Sequence, residues 1–298
     1  MKPIVWLASY PKCGNTWLRL LLANLGQESP VDINALGLDG GIASARRRFD
    51  NRFLFASGLL THAECDRLRP ALYRELAMQD GAERGLDPGE GAPVLGGVRF
   101  IKTHDAWTLT DAGEPLLGGA MAARGAILIV RDPRDVVASL ANHNGQTIDE
   151  AIRFMGDPAS AFCGRTDRQS NQLRQQLLGW SGFAASWLDQ ADLPVHVLRY
   201  EDMAADTAGA LGAALAFAGV EASPEALQRA AQFADFDRLR EQEAEHGFGE
   251  APVRMGTGRF FRRGATGGWR DELSDAQRRL IEADHAPMMA RLGYGGTA

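Results

Sequence analysis

The chain has 298 residues, which suits one large α/β domain or two modest ones and is ample for a buried core. Hydrophobic residues make up 45% of the sequence and charged residues 23%, the composition of an ordinary globular protein. The formal net charge is -6, whereas a general nucleic-acid binder is usually basic. We therefore expect no nucleic-acid partner and only local contacts with phosphate groups.

Cysteine spacing and hydropathy exclude further classes. Cys13, Cys65 and Cys163 form no CxxC pair, which argues against a disulfide framework and against a zinc site. The apolar run at residues 4–8 is too short for a secretory signal, and no stretch of about 18 apolar residues predicts a membrane span. We expect a cytoplasmic protein without a membrane partner.

The first predicted unit is a strand, a loop and a helix. Residues 3–9 are a buried strand by their apolar run, residues 10–15 contain Pro and Gly, and residues 16–25 are apolar at helical density. Backbone N–H groups at the start of such a helix attract an anion. Because Lys12 precedes Gly14, the loop lacks the GxxxxGK[ST] order of nucleotide triphosphatases. It indicates a site for one phosphate with an extended substituent.

The region between residues 27 and 95 is less regular. Residues 46–60 and 64–79 predict helices, and residues 81–97, rich in Gly, Pro and acidic side chains, predict an exposed loop. A stretch of this kind either shapes a binding pocket or is a plain surface excursion.

The remaining elements alternate between strands and helices. Strands are predicted over residues 98–103, 126–130 and 195–200, helices over residues 134–142, 170–190, 207–218, 224–233 and 274–292, and a loop over residues 247–268. This alternation predicts a single-domain α/β fold with a central parallel sheet flanked by helices. Polar residues follow each predicted strand, and ligands of such sheets bind beyond the carboxyl ends of the strands.

These polar residues have the chemistry of a phosphate site with a base. Arg131 ends a strand and Ser139 lies two helical turns later, so both could grip one phosphate, although a salt-bridged helix start has the same pattern. Lys102 and His104 are two residues apart at a strand end, hence on the same face. Only three of the 32 basic residues are lysines, so Lys12 and Lys102 are candidates for a role that a planar guanidinium cannot fill.

Four segments resemble motifs of the PAPS-dependent cytosolic sulfotransferases (PAPS is 3′-phosphoadenosine-5′-phosphosulfate). Residues 9–17, Ser-Tyr-Pro-Lys-Cys-Gly-Asn-Thr-Trp, resemble the 5′-phosphosulfate loop, and Gly-Asn-Thr-Trp is similar to bacterial members, including those that sulfate glycopeptide antibiotics. Residues 131–139 are similar to the 3′-phosphate motif Arg-x-Pro-x-Asp-x-x-x-Ser. Residues 260–270 resemble the late Arg-Lys-Gly-x-x-Gly-x-Trp segment, and residues 102–104 the Lys-Thr-His of the catalytic strand.

The resemblance implies a P-loop-like sulfotransferase fold and a role for each matching residue. His104 would take the acceptor proton, and Lys12 and Lys102 would stabilise the developing negative charge. The donor PAPS and the product PAP would be bound by Lys12, Cys13, Gly14, Asn15, Thr16, Trp17, Arg131, Ser139, Tyr200, Phe236, Phe261, Arg262, Arg263 and Gly264. No metal is implied.

The sequence departs from the family pattern at several positions. Cys13 stands where the family has Ser, and Ala234 where a Thr often contacts the base, so one contact is in doubt at each. Asp105 follows His104 in place of the usual Leu and is an alternative contact for the acceptor. Asp135, inside the second motif, either orients an arginine or caps a turn.

The sequence therefore predicts a sulfotransferase domain over residues 1–298, with variable acceptor-side insertions at residues 27–95 and 141–175. We expect transfer of a sulfuryl group from PAPS to a hydroxyl of a small molecule or natural product. The acceptor (a phenol, sterol or other alcohol, glycoside or peptide) and the existence of a homodimer are left open. A P-loop kinase is the first alternative, disfavoured by the loop order and the missing magnesium carboxylate. A non-catalytic nucleotide binder is the second, disfavoured because binding alone needs no base.

Overall fold

A six-stranded, mostly parallel sheet forms the centre of the protein. The computed structural model describes residues 4–36, 41–79, 84–86, 91–252, 255 and 259–295. The strands are β1 (Ile4–Ser9), β2 (Arg84–Leu86), β3 (Pro93–Leu95), β4 (Val98–Thr103), β5 (Ala123–Val130), β6 (Ala161–Phe162), β7 (Gln175–Gln176) and β8 (Val195–Arg199). The sheet order is β2-β3-β4-β1-β5-β8, and β6 pairs with β7 outside the sheet. Strands β4, β1, β5 and β8 are parallel neighbours, whereas β2 and β3 are antiparallel additions at one edge.

Helices flank this sheet. They are α1 (Asn15–Asn24), α2 (Arg46–Phe53), α3 (His62–Leu76), α4 (Pro133–Asn144), α5 (Ile148–Gly156), α6 (Gly179–Asp189), α7 (Tyr200–Ala205), α8 (Thr207–Phe217), α9 (Pro224–Phe233), α10 (Phe236–His246), α11 (Trp269–Glu272) and α12 (Asp275–Arg291). Short 3-10 turns occur at Ile33–Leu36, Ser57–Leu59 and Gly119–Met121. Within the described residues, no helix combines the length and apolar character needed to cross a bilayer.

Strand β1 lies inside the sheet and is buried along its whole length. Because successive side chains of a strand point to opposite faces, complete burial means that both faces of the sheet are covered. Trp6, for example, packs edge to face on Tyr73 of α3, with ring centroids 5.3 Å apart. The α/β architecture and the strands predicted around residues 4–9, 98–103, 126–130 and 195–199 are confirmed; residue 3 lies outside the described part of the chain.

Two of the predicted helices are wrong in part. The helix predicted over residues 46–60 ends at Phe53, because Leu54 adopts a left-handed backbone with φ of 60°. The helix predicted over residues 170–190 starts only at Gly179, because Leu178 and Gly179 both have positive φ. Residues 175–176 instead form strand β7, which pairs with β6. The tryptophans of this helix, Trp180 and Trp187, are buried as expected of core residues.

The segment predicted as an exposed loop, residues 81–97, contains strands β2 and β3. Strand β3 pairs with β4, and Val94 and Leu95 are buried. The Gly- and Pro-rich composition obscured this edge hairpin, in which β3 and β4 are joined by a two-residue turn at Gly96 and Gly97, both with positive φ. Residues 81–83 and 87–90 lie outside the described part of the chain.

Candidate active site

The carboxyl ends of the four parallel strands bring the predicted site residues to one edge of the sheet. The loop after β1 contains Lys12, His104 follows β4, Arg131 follows β5, and Tyr200 follows β8. A cavity of about 360 Å³ lies at this edge. Side chains that are distant in sequence therefore share one pocket, the arrangement expected for ligand binding at the carboxyl edge of an α/β sheet.

The cavity is lined by nearly all of the predicted residues. They are Lys12, Gly14, Asn15, Thr16, Trp17, Lys102, His104, Arg131, Ser139, Tyr200, Phe236, Phe261, Arg262, Arg263 and Gly264. Cys13 is the exception, because its side chain is 1% exposed and packs in the core. Burial raises the pKa of its thiol to about 12, so the group stays neutral. Binding by Cys13 therefore stays a prediction for its backbone amide, because its side chain does not reach the cavity.

The loop between β1 and α1 is a tight turn with two left-handed residues. Lys12 has φ of 70° and Gly14 has φ of 105°. A Cβ atom at Gly14 would lie 2.7 Å from the Tyr200 ring, so only glycine fits both the conformation and the space. Asn15 fastens the turn to β1, since its Nδ2 donates to the carbonyl of Leu7 over 2.8 Å. Positive φ at a non-glycine residue is strain of the kind that proteins retain at functional sites.

Lys12 carries an ammonium that is poorly stabilised in the absence of an anion. Its Nζ lies 3.7 Å from the centroid of the Phe260 ring. Burial, followed by the positive charges of Lys102 and Arg131, lowers the pKa of Lys12 to about 7. A bound anion would oppose these effects and restore the charge.

Lys102 belongs to a buried ion-pair network that no sequence motif indicated. Its Nζ lies 3.2 Å from Oε2 of Glu250, and the same carboxylate accepts two hydrogen bonds from Arg19, at 2.9 and 2.8 Å. Arg19 also donates to Oγ1 of Thr16 over 3.2 Å. The network holds the pKa of Glu250 at about 2, against the opposing effect of burial. Glu250 thus lines an otherwise cationic cavity as a carboxylate.

His104 is oriented by the end of the neighbouring strand. Its Nδ1 lies 2.7 Å from the carbonyl oxygen of Ser9. A carbonyl only accepts, so Nδ1 must carry the hydrogen and Nε2 must carry the lone pair. Burial, with the charge of Lys102 nearby, lowers the pKa of His104 to about 3. The imidazole is therefore neutral at physiological pH and able to accept a proton through Nε2.

Arg131 links the first loop to the late glycine-rich segment. Its Nη1 donates to the carbonyl of Lys12 over 3.4 Å and its Nη2 to the carbonyl of Ala265 over 3.0 Å. Its guanidinium lies 4.2 Å from the centroid of the Tyr200 ring. Its Nε is buried and finds no hydrogen-bond partner within the described part of the chain. An unpaired buried donor of this kind suits a bound phosphate oxygen.

The late segment is held in place by acidic side chains. Asp135 accepts hydrogen bonds from the backbone N–H groups of Gly267 (2.7 Å) and Trp269 (2.9 Å), so it caps the turn and does not orient an arginine. Glu272 pairs with both predicted basic residues, Arg262 at 2.8 Å and Arg263 at 3.0 Å. These two guanidinium groups therefore line the cavity with part of their hydrogen-bonding capacity already used.

Aromatic rings form one wall of the cavity. The Trp17 and Tyr200 ring centroids are 5.5 Å apart, and the Trp17 indole donates to the carbonyl of Ala234 over 2.9 Å. A Cβ atom at Gly264 would lie 2.3 Å from the Phe236 ring, so this glycine is required by the close approach. Flat apolar faces of this kind suit a nucleotide base. Ala234 itself is fully buried and contributes its carbonyl to the indole.

Both segments predicted as insertions contribute residues to the cavity. Ile42 comes from the first, and His143, Phe162 and Gln172 from the second. Sequence reasoning missed His143, although its position four residues after Ser139, one helical turn along α4, was an available signal. Burial lowers the pKa of His143 to about 2, so it too is neutral.

Asp105, the alternative contact for an acceptor, faces the interior instead. Its side chain is fully buried, and its Oδ1 accepts from Nη1 of Arg69 over 3.0 Å. The neighbouring Asp66 pairs with the same arginine. The structure therefore removes Asp105 from the candidate acceptor contacts.

The chain is similar in sequence to known sulfotransferases. The chain matches the family model described as "Sulfotransferase domain" over residues 124–293, more than half of its length. It is 24% identical to luciferin sulfotransferase of Photinus pyralis over 277 residues, which cover 90% of this chain and 67% of the relative.

Solved structures resemble the fold over nearly the whole chain. Retinol dehydratase in complex with androsterone and PAP matches with a TM-score of 0.57 and 19% identity, covering 97% of this chain and 81% of that protein. Mouse sulfotransferase SULT7A1 complexed with PAP matches with a TM-score of 0.56 and 15% identity, covering 97% and 85%. The family match extends over β5, β8 and the late glycine-rich segment, and the chain therefore belongs to the sulfotransferase family.

Proposed function

We propose that this chain transfers the sulfuryl group of PAPS to a hydroxyl of a small-molecule or natural-product acceptor, with His104 as general base and Lys12 and Lys102 stabilising negative charge. Its family makes it a PAPS-dependent sulfotransferase, and two of its structural neighbours bind PAP. The observation that carries the assignment of roles is the meeting, in one cavity, of an imidazole with a free Nε2 lone pair and the two lysines.

The residues at the cavity fit the proposed donor. Lys12, Gly14 and Thr16 would bind its 5′-phosphosulfate at the start of α1, where the helix dipole favours an anion. Arg131 and Ser139 would bind the 3′-phosphate, for which Arg131 has an unpaired buried Nε donor. Trp17, Tyr200, Phe236 and Phe261 would enclose the adenine, and Arg262, Arg263 and Gly264 would cover the phosphate from the late segment.

The chemistry follows from protonation states and charge. PAPS supplies a sulfuryl group that is activated by its phosphate leaving group. Nε2 of His104 accepts the proton of the acceptor hydroxyl, which only a neutral imidazole can do. The ammonium groups of Lys12 and Lys102 offset the negative charge that develops around the sulfur and the bridging oxygen. His104 becomes positively charged beside Lys102, a cost that the anionic donor offsets.

We propose that residues 1–298 form one sulfotransferase domain whose acceptor side is built by the insertions at residues 27–95 and 141–175. Ile42, His143, Phe162 and Gln172, all from these insertions, support this assignment. The set combines two apolar side chains, Ile42 and Phe162, with two polar ones, His143 and Gln172, which suits an amphipathic acceptor. We place the protein in the cytoplasm because Cys13, Cys65 and Cys163 are free thiols.

Calorimetric titration with PAP tests the donor assignment, with ATP and magnesium as the control. We expect binding of PAP that weakens when the 3′-phosphate is absent, and no magnesium-dependent binding of ATP. Binding of ATP with magnesium but not of PAP would instead favour a kinase. Transfer of labelled sulfate from PAPS to a panel of hydroxyl acceptors would then identify the acceptor class.

The same titrations carry a prediction about protons. The pKa of Lys12 is about 7 without ligand, and an anion raises it, so PAP binding takes up a proton at pH 8, where the free lysine is largely neutral. At pH 6 the lysine is already charged, and uptake is small. Binding heats measured in buffers of different ionisation enthalpy report this difference. Lys12→Met should abolish the uptake; if the variant retains it, another group is responsible.

Arg131→Met tests the reading of the 3′-phosphate. The variant should lose affinity for PAP by about 10- to 100-fold, the value of a charge-assisted contact of about 1.5–3 kcal/mol, and lose little affinity for adenosine 5′-phosphate. Arg124→Met is a matched control, because Arg124 donates to the carbonyl of Ala218 and does not line the cavity. Equal losses for both nucleotides would remove Arg131 from the 3′-phosphate site.

A further inference from the structure

Glu250 is a carboxylate placed where the proposed chemistry calls for positive charge. The cavity contains Lys12, Lys102 and Arg131, and the ligand proposed for it is an anion. An acidic group facing such a site would ordinarily repel the ligand. Glu250 is nevertheless part of the lining, with only 10% of its side chain exposed.

The negative charge of Glu250 is compensated by two basic side chains, Arg19 and Lys102. Both carboxylate oxygens accept from Arg19, at 2.9 and 2.8 Å, a bidentate pair whose guanidinium is fully buried in α1. One of the two oxygens also lies 3.2 Å from Nζ of Lys102. The three side chains come from α1, from β4 and from the loop after α10, and they join the three segments at the cavity.

Arg19 extends this arrangement to the first loop. Its Nη2 donates to Oγ1 of Thr16 over 3.2 Å. A hydroxyl has one hydrogen to donate, and accepting from Arg19 leaves that hydrogen for a ligand. The network therefore contacts two groups of the proposed site, the ammonium of Lys102 through Glu250 and the hydroxyl of Thr16 through Arg19.

We propose that Glu250, held by Arg19, is a positioning residue for sulfuryl transfer: its carboxylate fixes the ammonium of Lys102 at the cavity and completes the pair through which Arg19 orients Thr16. The inference rests on the proposed function, and it assigns Glu250 no direct contact with the donor. Lysine has four rotatable bonds, so without this anchor its ammonium would be distributed over many positions. A misplacement of about 1 Å can cost ~10²-fold in rate.

Glu250→Gln tests the proposal, because the amide keeps the shape and removes the charge. We expect kcat for PAPS turnover to fall on the order of 10²-fold while KM for PAPS changes little. Glu250→Asp should recover part of the loss, and Glu282→Gln is the matched control. Glu282 accepts from Arg134 over 2.9 Å, and it does not line the cavity.

The pH profile separates positioning from a merely structural role. The charged groups that act on Lys12 are Lys102, Arg131, Glu250 and Glu243, and the negative charge of Glu250 raises the pKa of Lys12. The wild-type kcat/KM is expected to fall at alkaline pH as Lys12 loses its proton. In Glu250→Gln this alkaline limb should therefore move to lower pH. A folded variant with unchanged kcat and an unchanged limb would overturn the proposal, and so would faster turnover, which would show that Glu250 masks Lys102.

A double variant guards against misfolding, since Glu250→Gln leaves the charge of Arg19 buried opposite a neutral amide. Arg19→Met combined with Glu250→Leu removes both charges together. It should fold and bind PAP yet remain slow; wild-type kcat in this variant would overturn the proposal. Absence of PAP binding and of turnover in the wild-type protein would instead count against the proposed function itself.

Discussion

Replacing His104 by asparagine is expected to reduce sulfuryl transfer ~10²–10⁴-fold, the usual contribution of a general base. The amide nitrogen of asparagine can still donate to the carbonyl of Ser9, which Nδ1 contacts at 2.7 Å in the wild-type protein. The substitution therefore keeps the local hydrogen bond and removes only the lone pair of Nε2. Turnover is measured with saturating PAPS and any acceptor found active, and PAP affinity is measured by calorimetry.

The control for this experiment is His196→Asn. His196 lies on β8, stacks on Phe217 with ring centroids 5.5 Å apart, and does not line the cavity. We expect wild-type turnover from it. If His104→Asn loses PAP binding as well as turnover, the histidine is structural and the base must be sought elsewhere. His143, the second neutral imidazole of the cavity, would then be the next candidate.

Replacing Lys12 by methionine is expected to lower kcat ~10²–10³-fold, as when one donor to a developing oxyanion is removed. Methionine preserves most of the apolar stem and removes the ammonium that lies over the Phe260 ring, so the loss reports the charge. Lys12→Arg should recover little, because a planar guanidinium in the turn at φ of 70° cannot place one compact charge at the same point. Lys2→Met, the remaining lysine, is the matched control.

The pH dependence of the wild-type enzyme gives an independent measure of the same residue. The parameter kcat/KM for PAPS reports groups of the free enzyme. Since the ammonium form of Lys12 is lost above its pKa of about 7, kcat/KM should fall as the pH rises above that value. The pKa of His104 is about 3, so its protonation should produce no acid limb between pH 5 and 7. A near-wild-type rate for Lys12→Met would remove Lys12 from the mechanism.

The four parallel strands, and the convergence of the polar residues that follow them, were readable from the sequence. Apolar runs at residues 4–9 and 126–130 predict buried strands because such strands are covered on both faces. The polar residues that follow them meet at one edge because parallel strands share a direction. Of the 16 residues predicted from this reasoning and the family resemblance, 15 line one cavity, and the side chain of Cys13 is buried in the core beside it.

The charges around the reaction centre were decided by the tertiary structure. Glu250 belongs to no motif, and it meets Arg19 across 231 positions of the chain. Asp105 follows His104 in sequence, yet its side chain is buried in the core, where it accepts a hydrogen bond from Arg69. Ion pairs between distant segments leave no periodicity in a sequence, because each partner is chosen by the packing of other elements. The sequence by itself determined the sulfotransferase fold and the loop after β1, and only the tertiary structure determined which acidic side chains pair with the lysine and arginines.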